Sequence, residues 1–407
     1  MAPNNQEPLM ANTVTKAAVY NAILDEVVTA GLTSAPLTAN QSRLVYSGGN
    51  SVKIAKLSTD GYSDYNRATG YAAGDATLAW ENHTIRMDRG KSFNVDVMDA
   101  DESMQTLSAT NLIGEFAKDK EVPEIDAYRY SSIFGAIVDD TTVRYGYYNP
   151  AAATLLTTFQ GNVADVQDVI GEQEPLIAFM SMKAWKHLTT SIELSKQLMV
   201  RDGGNGINTK TYEIDGVRII PVPSARMKTE YAFGSNGFTA KAWAQEMNWI
   251  IMSQNAAVAF VKHQKVKVVS ADDNQSADAE KIMMRLYHDC WVYENKHNAI
   301  YVSLKTATIA TIVGVGGGVE AKSGKVEITL GDAYTYRDTG HKFYYLDTNS
   351  ATVPTTPACY DKLNVSTYTE IQSASKQDVS ATAKDYVIVV QLDENGRVIA
   401  YTAVAAL

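Results

Sequence analysis

DRGKSFNVDVMDADESMQTLSATNLIGEFAKDKEVPEIDAYRYSSIFGAIVD, residues 88–139, changes its hydrophobic period partway along. Phe93, Val95 and Val97 alternate, as a strand with one buried face requires. From Ser103 onward Met104, Leu107, Leu112, Ile113 and Phe116 recur at helical spacing. Asp101, Glu102 and Ser103 suit a helix start, where free amides and the dipole favour oxygen and negative charge. Pro123 lacks an amide donor and clashes with the preceding turn, so it breaks or kinks the pattern. Ile125, Tyr128, Ser132, Ile133 and Ile137 make a second helical face. The stretch reads as a strand feeding a long two-part helix, with the rest of the chain packed around it.

Upstream, Val52, Ile54 and Leu57 alternate with Lys53 and Lys56, which is a strand pattern. Leu78, Trp80, His83, Ile85 and Met87 lead back as a second strand. Between them Gly61, Gly70 and Gly74 prevent regular structure and carry aromatic and charged neighbours. A long hairpin is marginal alone, so a neighbouring copy of the same chain is its natural support. Tyr62, Asp64, Tyr65, Arg67, Tyr71, Trp80 and Arg89 are the candidate inter-subunit contacts. The same aromatics suit a nucleic-acid stacking platform, but no basic cluster accompanies them, and that favours a protein partner. Before the hairpin, residues 13–29 read as a helix closed by Gly31, residues 33–41 as an extended linker, and Val45 and Tyr46 as a short strand.

Downstream, 144–150 reads as a turn, 164–171 and 181–198 as helices, and 176–180 as a buried strand. Short strands are expected at 211–214, 217–221 and 231–233, with Asp215-Gly216 as a tight hairpin turn. Further strands fall at 249–252, 266–269, 279–292 and 299–304, with a helical turn at 256–261. Strands and helices mix without βαβ regularity, so the class is α+β. Residues 306–318 are small and end in GVGGG, a linker rather than a phosphate loop, since GxxxxGK[ST] is missing. After it, strands at 325–330, 342–345, 368–371, 386–392 and 397–401, the last across an Asn395-Gly396 turn, make a small all-β domain.

At 407 residues the chain exceeds one ordinary core. No run approaches a membrane helix in length, and the first residues lack a secretory pattern. Two cysteines, Cys290 and Cys359, supply neither a disulfide framework nor a zinc cluster. A net charge of −10 argues against general nucleic-acid binding. Asp88, Asp96, Asp99, Asp101 and Glu102 lie on a strand and a helix start, whereas ligands of a hard cation must converge. They read as caps and as partners of Arg86 and Arg89. The six histidines, His83, His187, His263, His288, His297 and His341, are scattered. His288, Asp289 and Cys290 are adjacent on a strand and alternate in direction, a poor arrangement for a nucleophile with its base. No enzyme activity, cofactor or metal is expected.

Several segments resemble the tailed-bacteriophage major capsid proteins. They are Gly61-Tyr62-Ser63-Asp64-Tyr65-Asn66-Arg67, Trp80-Glu81, Met87-Asp88-Arg89-Gly90, and Phe93-Asn94-Val95-Asp96 leading into Asp99-Ala100-Asp101-Glu102. Val122-Pro123-Glu124-Ile125-Asp126-Ala127-Tyr128, Pro221-Val222-Pro223-Ser224-Ala225-Arg226-Met227 and Arg285-Leu286-Tyr287-His288-Asp289 continue the likeness, in order, over roughly residues 12–305. The resemblance implies the Hong Kong 97-type fold: an N-terminal arm (1–49), an extended β-hairpin loop (50–92), a peripheral domain with a spine helix beginning near Asp101 (93–149), an axial domain (150–265) and a peripheral return (266–305). The linker (306–318) and a C-terminal β accessory domain (319–407) lie outside it.

The resemblance also implies function. The chain is expected to self-assemble into hexamers and pentamers of an icosahedral head, built in the host cytoplasm and forming the virion capsid. It would enclose double-stranded DNA without specific binding and without a membrane. A portal is an expected partner, and so is a separate scaffolding protein, because little chain precedes the arm. An encapsulin-type compartment and, further off, a surface adhesin are the alternatives. The C-terminal domain is expected on the outer surface and to fold alone, and a chain ended near Thr306 is expected still to assemble.

Overall fold

The computed structural model describes residues 24, 27, 28, 31–65, 67, 70, 71, 73–96, 98, 109–138, 144–190, 199–202, 210–305, 318–330, 340–373, 375 and 377–407. The expected start of the spine helix at Asp101, most of the 13–29 helix, residues 191–198 and linker residues 306–317 lie outside them. Ala35–Arg43 is a 3₁₀ helix rather than an extended linker. The Ser34 carbonyl accepts the Leu37 amide, and the Thr38 hydroxyl bonds back to Ala35.

β1 (Leu44–Gly48), β2 (Ser51–Thr59) and β3 (Ala76–Thr84) form one antiparallel sheet in that order. The return strand expected through Met87 stops at Thr84. β4 (Met87–Asp96) leaves this sheet to pair elsewhere. The spine is α1 (Ala109–Phe116), one π-helical turn at Ala117–Glu121, and α2 (Val122–Ile137). The Val122 amide donates to Ala117, five residues back, and Pro123 follows in the first turn of α2. A ring there cannot sit against the carbonyl four residues earlier. The extra residue in the π turn relieves that conflict, so the helix continues across Pro123.

Residues 144–147 are not a turn but β5 (Arg144–Tyr147). α3 (Leu155–Ile170), β6 (Leu176–Ser181) and α4 (Met182–Thr190) follow. β7 (Met199–Asp202), β8 (Lys210–Ile214) and β9 (Val217–Val222) come next. Asp215 and Gly216, both at positive φ, close the expected β8–β9 turn. β10 (Tyr231–Gly234) and β11 (Gly237–Ala240) are a separate hairpin. β12 (Met247–Ser253), β13 (Ala257–Val269), β14 (Ala279–Val292) and β15 (Ile300–Leu304) complete this part. The helical turn expected at 256–261 is instead the start of β13. Its residues find a full antiparallel partner in β14, which no local pattern reveals.

β5-β15-β12-β6-β9-β8-β7 is a mixed seven-stranded sheet, and β13-β14-β4 is a three-stranded one. β15, from the segment expected to return to the peripheral domain, therefore joins the larger sheet. α2 spans both. Val122 and Ile125 pack with α1 on Val266, Ile282 and Met284. Tyr130, Ile133, Phe134 and Ile137 pack on one face of the larger sheet, against Phe179, Ile250 and Val302. α3 and α4 cover its other face through Phe159, Val163, Trp185 and Leu188, against Trp249 and Ile251. With both faces covered, every residue of β6 and β12 is buried.

β16 (Gly318–Lys322), β17 (Lys325–Thr329), β18 (Lys342–Asp347), β19 (Thr369–Ile371), β20 (Gln377–Ser380), β21 (Tyr386–Leu392) and β22 (Val398–Ala405) form two sheets, β16-β17-β20 and β19-β18-β21-β22. Val326, Ile328, Phe343, Val387 and Val389 fill the space between them. Asn395-Gly396 lies in the β21–β22 connection, with Gly396 at positive φ. This unit has a core of its own, and it also shares one: Cys359, Tyr360 and Ile399 belong to the cluster that contains Phe134 and Val302.

Candidate assembly surface

The hairpin is fixed at its root and bare at its tip. Val52 and Ile54 are buried, Ile54 against Val258 and Tyr293. His83 lies on Trp291 with ring centroids 5.3 Å apart. Lys56 reaches Glu294 at 2.9 Å and Glu81 at 3.7 Å. The hydrogen bond to Glu294 raises the lysine pKa. At the β3–β4 corner the Ile85 amide donates to Asn50. The next amide, Arg86, donates to Asp289 at 2.8 Å, and the Tyr128 hydroxyl of α2 donates to the other oxygen of the same carboxylate at 2.6 Å. Asp289 thus ties the hairpin root to the spine. Burial pushes its carboxyl pKa up, and the Tyr128 bond opposes that.

Beyond the root, side chains lose their neighbours. The Asp60 and Asp75 amides bond across the hairpin, the latter to the Asp60 carboxylate at 2.9 Å. Past that closure Tyr62 and Tyr71 are fully exposed and Tyr65 is 60% exposed. Tyr65 and Tyr71 touch only edge to face, at 5.1 Å. Asp64 and Arg67 are exposed beside them. On β3, Leu78 and Trp80 are 60% and 46% exposed, and Val45 is exposed on β1. Burying such aromatics stabilises a contact by roughly 25 cal/mol per Å² of apolar area, and within one copy almost none of that is realised at Tyr62 and Tyr71 and only part of it at Tyr65 and Trp80.

Arg89, also among the candidate contacts, makes bonds within its own chain. Its Nε donates to Glu124 Oε1 at 2.6 Å and its Nη2 to the Gly234 carbonyl at 2.7 Å, so it joins β4, α2 and the β10–β11 turn inside one chain. The acidic run is also paired differently from expectation. Asp88 is held by Arg285 through two hydrogen bonds, of 2.9 and 2.5 Å, which lower its pKa. Asp96 accepts the Met98 amide. Asp99, Asp101 and Glu102 lie outside the described residues.

Sequence reasoning missed the second anchor, Asp126. This fully buried carboxylate on α2 accepts the Thr33 and Ser34 amides, at 3.2 and 3.1 Å. It also accepts their hydroxyls, at 2.8 and 2.7 Å, and Arg226 Nη1 at 3.0 Å. Buried Arg129 adds a bond to the Ser34 hydroxyl at 2.9 Å. An acid between Ile125 and Ala127, on the face that continues through Tyr130 and Ile133, is the signal that marks it.

Among the described residues no group of three His, Cys, Asp or Glu side chains converges to hold a metal ion. No described helix is long and apolar enough to cross a membrane. His288 and Cys290 are buried, and Asp289 between them is committed to Arg86 and Tyr128.

No family model and no curated protein matches the chain. In structure it is similar to solved phage structures. One is from Mycobacterium phage Che8, at 15% identity and TM-score 0.43, over 68% of this chain and 92% of that one. Another is the mature capsid of bacteriophage PhiM1, at 11% and 0.44, over 64% and 83%. A virus-like particle from Pyrococcus furiosus aligns at 11% and 0.40, over 70% and 97%. The mixed α+β architecture is consistent with the Hong Kong 97-type fold expected from the sequence.

Proposed function

We propose that the chain is a major capsid protein, a non-enzymatic shell subunit that assembles into the hexamers and pentamers of an icosahedral phage head around double-stranded DNA. The observation that carries this reading is the hairpin: a rooted base ending in tyrosines that stay largely exposed within one copy. Tyr62, Asp64, Tyr65, Arg67, Tyr71 and Trp80, with Arg89 on the following strand, are the inter-subunit contacts of this reading. Modest contacts repeated over a closed lattice make a durable shell. A portal and a separate scaffolding protein are the partners this role requires, and assembly takes place in the host cytoplasm. The C-terminal unit belongs on the outer face, away from packaged DNA, with which an acidic protein has no attraction. Negative-stain microscopy of the purified protein tests the reading. Closed shells or ring-shaped capsomers are expected, and a protein that stays monomeric at all concentrations and salt conditions would overturn it.

A further inference from the structure

At one end of the larger sheet, a small cleft holds more hydrogen-bond donors than acceptors. It measures about 210 Å³ and lies where β6 runs into α4. The 3₁₀ turn Ser224–Arg226, the start of β12 and Lys305 after β15 close its sides. Lys183, Lys186 and Lys305 line it against a single acid, Glu246, three positive charges to one negative, a balance of +2. Both Glu246 oxygens are already taken: Oε1 accepts Lys183 at 2.6 Å and Oε2 accepts Lys305 at 3.1 Å. Burial raises the Glu246 pKa, but the bonds and charges of the two lysines outweigh it and hold the carboxyl below its usual value. Lys186 is exposed on the rim beside His187 and has no ion-pair partner among the described residues.

Two hydroxyls add to the surplus. The Lys183 and Ala184 amides, at the start of α4, donate to Ser224 Oγ at 3.2 Å and Ser181 Oγ at 3.3 Å. Each oxygen is thereby an acceptor, and a serine hydroxyl carries one proton to donate besides. Neither proton has an acceptor among the described residues, although Ser181 is only 3% exposed. A buried donor left unpaired is costly. The amide end of α4 also favours negative charge. The cleft is smaller than the ~300–1,000 Å³ that drug-sized ligands occupy, and its lining is mainly polar and charged. A compact anion with several acceptor oxygens matches it.

We propose that this cleft is a binding site for a tetrahedral oxyanion of the phosphate class. Lys186 supplies the unpaired charge, Lys183 and Lys305 their remaining N–H protons, and the Ser181 and Ser224 hydroxyls donate as well. Hydrogen bonds from charged donors are the strong ones. A phosphate presents acceptors on every side, which a planar carboxylate does not. A phosphoryl group carries about −1.5 to −2 at pH 7, close to the surplus of the lining. Bound there, the anion joins α4, the turn after β9, the start of β12 and the end of β15. It braces the end of the body from which the chain continues to the C-terminal unit. The site goes beyond the shell reading and does not depend on it.

Isothermal titration calorimetry of the full chain with inorganic phosphate, at low salt in a phosphate-free buffer, is the test. Binding should be saturable at one phosphate per chain, and sulfate should compete for the same site. Acetate at matched ionic strength has fewer acceptors and should bind about tenfold more weakly. Lys186→Ala with Ser224→Ala should weaken phosphate binding about tenfold or more, because a hydrogen bond to a charged group is worth that much. Lys186→Arg keeps the charge and the donors and should retain most of the affinity. Lys186 is exposed, so Lys186→Glu alone leaves the core intact and should abolish binding even if the serine variant folds poorly. No saturable uptake of phosphate, equal binding of acetate, or unchanged affinity in Lys186→Glu would each overturn the site. The titration needs no assembly, so a negative result leaves the shell reading as it stands.

Discussion

The ring of Tyr360 meets the ring of Phe134 edge to face, with centroids 5.3 Å apart. Phe134 lies on the spine helix, and Tyr360 comes from the loop between β18 and β19 of the C-terminal unit. Tyr360 has a φ of +68°, a region that side chains other than glycine rarely adopt. It is held there from several sides. Its hydroxyl shares a hydrogen bond with Thr229 at 2.8 Å, and the Arg397 guanidinium lies 5.9 Å from its ring. The neighbouring Cys359 carbonyl accepts the Tyr147 hydroxyl. The C-terminal unit is therefore docked into the body and not merely strung from it.

Tyr360→Ala should cost about 3–5 kcal/mol, the usual loss for a large buried aromatic. Tyr360→Phe removes only the Thr229 bond and should cost about 1 kcal/mol. Denaturant unfolding checks both. If Tyr360→Ala leaves the midpoint of the main transition unchanged, the shared core contributes nothing to the body.

Ending the chain after Lys305 would uncover Phe134, Tyr145 and Tyr147, which now pack in one cluster with Cys359, Tyr360 and Ile399. An exposed apolar patch of that kind promotes association. The truncated chain should be poorly soluble or markedly less stable, the opposite of what the sequence suggests. Soluble recovery compared with the full chain decides it, and normal recovery with normal shells would restore the view of an independent appendage.

The two anchors on the spine have the highest local stakes. Asp126→Ala would leave two amides, two hydroxyls and Arg226 without their shared acceptor. Breaking one partner of a buried charged pair costs about 3–5 kcal/mol. A loss of that size in unfolding free energy is expected, with release of the Thr33–Ser34 segment visible as faster amide exchange. Unchanged exchange at Thr33 and Ser34 would show that the segment is held by something else.

What the sequence disclosed was local. Alternation at Val52 and Ile54, the helical face at Ile133 and Ile137, and the Asp215-Gly216 turn each depend on a few neighbouring residues. What it withheld was pairing at a distance. Residues 144–147 look like a turn because their partner, Ile300–Leu304, lies more than 150 residues away. The start of β13 looks helical for the same reason. Of the candidate contacts, Tyr62, Asp64, Tyr65, Arg67, Tyr71 and Trp80 do emerge exposed. The intrachain partners of Arg89, Glu124 and the Gly234 carbonyl, come near it only in the folded chain and could not be read from the sequence.

Acid sensitivity should trace in part to His288. It is fully buried against Tyr128, with neither ring nitrogen hydrogen-bonded among the described residues. Burial, with the positive charges of Arg129 and Arg89, pushes its pKa down from 6.5 to about 3. The unfolded chain therefore takes up a proton that the folded chain refuses. The stabilisation is complete above the unfolded pKa and is lost as pH falls from about 6.5 toward 3, with a slope approaching 1.4 kcal/mol per pH unit. Asp289, whose pKa is raised, acts with the opposite sign, since its contribution is present at low pH and lost as pH rises. Comparison with His288→Phe isolates the histidine: the stability difference between the two proteins should shift in favour of the variant as pH falls. A difference that stays constant from pH 7 to pH 4 would remove His288 from the account.

The hairpin tip is where folding and assembly should separate most cleanly. Tyr65 and Arg67 lie beyond the Asp60–Asp75 closure and belong to no buried cluster among the described residues, and Tyr65 meets Tyr71 edge to face. Replacing both with Ala removes no core contact, so the cost to the monomer should stay within about 0.5 kcal/mol, as for other surface changes. Assembly should suffer far more, because each copy repeats the loss and the lattice multiplies it. The double variant should be soluble and unfold at the same denaturant midpoint as the parent. Its shells should be fewer, or should dissociate at lower temperature. Shells of normal yield and normal thermal stability would mean that these tip side chains contribute nothing between copies. The exposed row of Val45, Leu78 and Trp80 would then be the next surface to test.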